Sequence, residues 1–70
     1  MDRQQVRSSN VVSVGYDERS QMLEVEFNTG AIYEYYGVPS CKHLALMRDS
    51  SIGGYLNAEI KRRYRYRKVR

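Results

Sequence analysis

Seven cations and two tyrosines crowd the last ten residues, Lys61-Arg62-Arg63-Tyr64-Arg65-Tyr66-Arg67-Lys68-Val69-Arg70. Guanidinium groups fork onto phosphate oxygens, and tyrosine rings offer a stacking platform indifferent to base identity. The chemistry open to this segment is therefore anion and base recognition. Lys61, Arg62, Arg63, Arg65, Arg67, Lys68 and Arg70 would supply the charge, and Tyr64 and Tyr66 the π-faces. In an extended backbone the tyrosines share one face and Arg63, Arg65 and Arg67 the other. The same alternation equally makes Tyr64 and Tyr66 the buried side of a final strand. The cations could also be a solubilising end, or an internal clamp on Glu24 and Glu26.

The inventory for catalysis is short. The chain has one histidine and one cysteine, His43 and Cys41. Two residues apart on a helix, they point about 200° from each other and cannot form a nucleophile–base pair. A closed zinc site needs four ligands of such types. Glu24 and Glu26 read as the solvated side of an amphipathic strand. These residues point to no enzyme, no metal and no cofactor.

Charge is unevenly placed. The chain carries 12 basic and 8 acidic residues, a net +4, and residues 61–70 hold seven of the basic ones and no acid. The first sixty residues thus hold 12 − 7 = 5 basic against 8 acidic residues, a balance of −3. A cationic end on an acidic body can seek an anionic partner. A chain of 70 residues makes one domain, and one this short buries only about 60% of the surface its unfolded form exposes. That leaves no room for a deep dry pocket and favours surface binding. The lone Cys41 cannot form an internal bridge, which favours a reducing compartment. Met1–Gln5 is followed by no apolar run of the signal-peptide kind, and no stretch approaches the 18 or so apolar residues of a membrane span. The expected location is cytoplasmic.

These residues must be positioned by few elements. Residues 1–7 are polar and aperiodic and read as a flexible lead to a single domain over 8–70. Val11 to Tyr16 is β-branched and short, a first strand, and Asp17-Glu18-Arg19-Ser20 has turn character. From Met22 to Phe27 the alternation is clean, with Leu23, Val25 and Phe27 on one face and Glu24 and Glu26 on the other. The length of the Asn28-Thr29-Gly30 loop decides where the next tyrosines point. A three-residue loop with a left-handed Gly30 sets Val25 against Tyr33 and Leu23 against Tyr35, so both tyrosines join the apolar face. A two-residue turn shifts register by one and places them on the glutamate face. The three-residue loop is preferred, because the alternative buries Glu34 beside Val25. Tyr33, Tyr35 and Tyr36 would then pack with their hydroxyls reaching partners, or stack bases as RNA-recognition sheets do. Gly37-Val38-Pro39 ends the third strand, and Ser40 can cap a helix presenting His43, Leu46, Met47 and Ser50. A second helix beginning near Ser51 or Gly54 presents Tyr55, Leu56 and Ile60. Asn57 would bond the backbone or a ligand. The fold class is α+β: a small three-stranded antiparallel meander, then two short helices and a basic C-terminal strand or arm.

Ser9, Val12, Val14-Gly15-Tyr16-Asp17, Leu23-x-Val25-x-Phe27, and Gly30 with Tyr33-x-Tyr35 resemble the KTSC domain. So do Val38-Pro39, Leu46, Ser50, Gly53, Tyr55-Leu56-Asn57, Ile60 and Tyr64-x-Tyr66. The resemblance runs from about Ser8 to Val69 and rests on order and spacing more than on any single motif. His43, Asp49 and Leu56 depart from it, standing where tyrosine, alanine and phenylalanine are common. The family is named for a C-terminal extension of some lysyl-tRNA synthetases and occurs in stand-alone bacterial and phage proteins. The resemblance implies a compact domain, a role in RNA binding and no catalytic residues. The expectation is a non-catalytic binding module for nucleic acid, RNA before DNA, acting through Lys61–Arg70 as monomer or weak dimer. About four phosphate contacts on a single strand would give a log-affinity against log-salt slope of roughly −3. The alternative is a protein-interaction module docking an acidic partner.

Overall fold

The alternation along Met22–Phe27 organises the whole sheet in the computed structural model, which describes residues 2–70. Five strands lie in chain order, each antiparallel to the next: β1 (Arg3–Gln5), β2 (Val11–Asp17), β3 (Met22–Phe27), β4 (Ile32–Tyr35) and β5 (Tyr66–Lys68). Between β4 and β5 the chain forms α1 (Ser40–Arg48) and α2 (Ile52–Tyr55), the latter continuing as a π-helical stretch over Leu56–Ile60. The α+β class stands, with five strands where the sequence predicts a meander of three and a C-terminal strand or arm.

The three-residue hairpin is present. Phe27 N–H donates to Ala31 O, Gly30 N–H donates back to Phe27 O, and Gly30 takes a φ of +91°. Val25 therefore faces Tyr33 and Leu23 faces Tyr35. In β2 the parity needs a correction that a plain strand cannot make, because Val11 and Val14 would point to opposite faces. A β-bulge between Val11 and Ser13 supplies it, pairing Val11 with Phe27 and Val14 with Val25. Both valines are buried, while Val12 is turned outward.

On the inner face, Val11, Val14, Leu23, Val25 and Tyr35 meet Val38, Leu46, Ile52, Leu56 and Ile60 from the other layer in one cluster. Leu46 is the one fully buried residue of α1. Ile52, Leu56 and Ile60 recur every fourth residue, and all three are buried. Tyr16 ties the layers together. Its ring stacks on His43 at 4.5 Å and its hydroxyl donates to Val38 O.

Two local expectations are corrected. Residues 1–7 are not a loose lead throughout, since Arg3–Gln5 pairs with β2 in the register Arg3 to Gly15. Ser40 is not the cap of α1. Pro39 holds that position and makes no side-chain cap bond, so Ser40 is the first helical residue. The second helix begins as expected, with Ser51 accepting from Gly54 N–H at 3.1 Å. Asp49 follows α1 and accepts from Ser51 N–H, linking the two helices. Among the described residues no helix is long and apolar enough to cross a membrane.

Candidate nucleic-acid interface

The basic segment is divided by the plane of the sheet. Residues 61–65 leave the π-helical stretch in a turn, with Arg63 N–H and Tyr64 N–H donating to Ile60 O. Tyr64 thus lies outside β5 and packs half-buried against the core, whereas Tyr66 opens the strand and is 59% exposed. The two tyrosines do not share one strand face, as the alternation implies.

Within β5, Tyr66 pairs with Tyr35, Arg67 with Glu34 and Lys68 with Tyr33. Parity sends Arg67 to the outer face, where its guanidinium lies 3.3 Å from Glu34. Arg70 follows it, 3.4 Å from Glu26 Oε2. On the same face Arg3 pairs with Glu24 and lies 3.9 Å from Glu26 Oε1. Ser13, buried beneath them, donates to Glu26 at 2.8 Å and accepts from Arg3 Nε. Three guanidiniums thus meet the three carboxylates of β3 and β4. The clamp on Glu24 and Glu26 exists, built by Arg3 and Arg70 rather than by the whole basic segment. Arg67 and Arg70 are therefore removed from the set of uncommitted cations.

The remaining cations are differently placed. Lys61, Arg62, Arg63, Arg65 and Lys68 are exposed and make no ion pair among the described residues. Lys61 Nζ stands 5.0 Å from the centroid of the Phe27 ring, within cation–π range. Lys61 and Lys68 border an open groove of about 530 Å³ on the helix side of the sheet, where the helices leave the β4–β5 edge uncovered. Phe27, Tyr33, Tyr35 and Tyr66 supply its aromatic wall, and no carboxylate lines it. Phe27 meets Tyr33 edge to face at 5.7 Å, and Tyr66 lies 5.7 Å from Tyr33 and 5.9 Å from Tyr35. Burial, with Tyr33 and Tyr66 adding to it, pushes the Tyr35 phenol up to about 12, so it stays neutral near pH 7. Arg62, Arg63 and Arg65 line a shallower depression with Tyr64 and Tyr66, so Tyr66 is the wall between the two hollows.

Phe27 and Lys61 are brought together from distant parts of the chain, and no sequence pattern joins them. Their shared face is implicit in the hairpin register, but the landing point of Lys61 depends on the length of the helical layer. Cys41 and His43 do not converge. Cys41 is exposed and unpaired, while His43 is taken up by Tyr16, and its burial lowers its pKa. Lys42 is engaged elsewhere, 2.9 Å from Glu59. Among the described residues no group of three His, Cys, Asp or Glu side chains could hold a metal ion. The geometry offers stacking faces and exposed cations, the means of binding a planar anionic ligand.

Comparison with known proteins agrees with the fold. The model of the KTSC domain family matches residues 7–64. The crystal structure of a KTSC domain protein from Yersinia pestis superposes with a TM-score of 0.95 at 38% identity, covering 99% of this chain and 97% of that one. An uncharacterized protein of Stutzerimonas stutzeri is 41% identical over 70 residues, 99% of each chain. A lysine–tRNA ligase of Nostoc punctiforme is 30% identical over 61 residues, which are 87% of this chain but 11% of the ligase.

Proposed function

This chain belongs to the KTSC domain family, and from that premise we propose that it is a non-catalytic binding module for nucleic acid, RNA before DNA. One observation carries the reading. Five cations without ion pairs among the described residues lie on the two sides of Tyr66: Lys61 and Lys68 border an aromatic groove that no carboxylate lines, and Arg62, Arg63 and Arg65 line the adjoining depression. Phosphates would meet the cations, and bases would meet the rings. The sheet carboxylates that would repel a phosphate strand, Glu24, Glu26 and Glu34, lie on the opposite face, already paired with Arg3, Arg67 and Arg70. The preference for RNA draws on the likeness to a segment of a lysine–tRNA ligase, an enzyme named for its RNA substrate.

An NMR titration with short RNA and DNA oligomers tests it. Amide shifts are expected at residues 61–68 and at Tyr33, with smaller changes in the outer-face network. Spectra unchanged at millimolar oligomer would overturn the reading. The open outer edges of β1 and β5 favour a second reading, in which a partner protein adds a strand to the sheet. Purification from the native host separates the two. Nuclease-sensitive material absorbing at 260 nm supports the first, and a stoichiometric polypeptide supports the second.

A further inference from the structure

We propose that the groove takes one unpaired base of a single strand, stacked on Tyr66, so that the domain discriminates single-stranded from duplex nucleic acid. The inference rests on the nucleic-acid reading above and specifies which form is bound.

Tyr66 is the starting point. A tyrosine packed to complete a core lies against its neighbours, but this residue is 59% exposed at the start of an edge strand. Its ring is tilted 46° from Tyr33 and 42° from Tyr35, whereas those two rings lie within 21° of each other. Tyr66 therefore leans on the aromatic wall without closing it, and the groove stays open. Its volume of about 530 Å³ falls within the usual span of small-molecule sites, about 300–1,000 Å³. The lining is of the kind that binds planar, electron-poor rings.

Charge placement then says what is attached to the ring. Lys61 and Lys68 stand on the groove side of Tyr66, and Arg62, Arg63 and Arg65 on the other. A base resting on Tyr66 would have cations both before and behind it. That is the repeat of a polynucleotide, a phosphate on either side of each nucleoside, rather than the one-sided charge of a free nucleotide. A duplex cannot use the arrangement. Its bases are stacked on one another and paired, so none is free to lie on Tyr66.

The test compares a nine-nucleotide single-stranded RNA with a blunt duplex of the same sequence, by fluorescence anisotropy at fixed salt, using the wild type, Tyr66→Ala and Tyr66→Phe. Tyr66 contributes little to the core, and circular dichroism will show both variants folded. Tyr66→Ala should weaken single-strand binding by about 5- to 150-fold, while Tyr66→Phe, which keeps the stacking face, stays near wild type. Duplex binding should be weaker and the same in all three proteins. Equal single-strand affinity in wild type and Tyr66→Ala overturns the base-stacking proposal but leaves phosphate contact by the cations standing. Duplex affinity equal to single-strand affinity also overturns it. Absence of binding to either RNA removes the nucleic-acid reading itself.

Discussion

Replacing Arg62, Arg63 and Arg65 with alanine should affect nucleic-acid binding differently from replacing Arg67 and Arg70, although all five belong to one basic run. The first three make no ion pair among the described residues, while Arg67 and Arg70 lie on the far face of the sheet, 3.3 and 3.4 Å from Glu34 and Glu26. On single strands each neutralised phosphate contributes about −0.7 to the slope of log affinity against log salt. Five uncommitted cations therefore set a limiting slope of about −3.5, steeper than the roughly −3 for four contacts, and seven would give about −4.9. Raising salt from 50 to 200 mM would then weaken wild-type binding by about 130-fold. The triple variant retains Lys61 and Lys68, so its slope falls to about −1.4 and the same change in salt costs about sevenfold. Arg67→Ala with Arg70→Ala should leave the slope near −3.5, because exposed ion pairs contribute only about 0–1 kcal/mol to stability and the lost charges do not face the ligand. Anisotropy titrations of a single-stranded oligomer at four salt concentrations measure this directly. A double variant whose slope falls as far as that of the triple variant would refute the division of the basic segment by the sheet.

Three further outcomes concern the fold. Leu46→Ala should cost about 2–5 kcal/mol in urea unfolding, since Leu46 is the only fully buried residue of α1 and its removal leaves a cavity against the sheet. Gly30→Ala should cost about 1–2 kcal/mol purely through backbone strain, because φ is +91° and a Cβ there meets nothing within 4 Å. His43 should titrate below its ordinary value of 6.5 in an NMR pH series, its burial against Tyr16 disfavouring the imidazolium. The unfolded chain then binds the proton more readily, so this contribution is intact above pH 6.5 and is lost as pH falls through the native value. A His43 midpoint at or above 6.5 would contradict the packing.

The register of β3 and β4 is legible in the sequence because Gly30 and the Glu24–Glu26 alternation constrain each other, and a one-residue slip would bury Glu34. The start of the second helix is legible from Ser51. β1 is not, since Arg3-Gln4-Gln5 is wholly exposed and carries no apolar pattern. Its pairing shows only when Arg3 is seen reaching Ser13 and Glu24. The bulge in β2 is hidden for a related reason, as Val11, Val12 and Val14 are equally β-branched and only the partner strand decides which turns out. Pro39 takes the cap position from Ser40, a competition between adjacent residues that composition does not decide. In the basic segment the alternation alone is compatible with one strand, or an arm, from Tyr64 onward. The helical layer instead ends through Tyr64, so β5 starts at Tyr66 and the arginines divide. That division depends on the pairing of residue 34 with 67, across a connection of two helices whose exact length no local pattern reveals.

Glu26 holds a guanidinium on each of its oxygens, Arg3 on Oε1 and Arg70 on Oε2. The first strand and the last residue are thus laced to one side chain, although nearly the whole chain lies between them. Exposed pairs of this kind are weak singly, so the lacing opens readily. Because it runs through one eyelet, losing that one carboxylate releases both margins of the sheet at once. Hydrogen exchange at Gln4 and Val69 would quicken in step once Glu26 is made glutamine, even though β2, β3 and β4 lie between those amides.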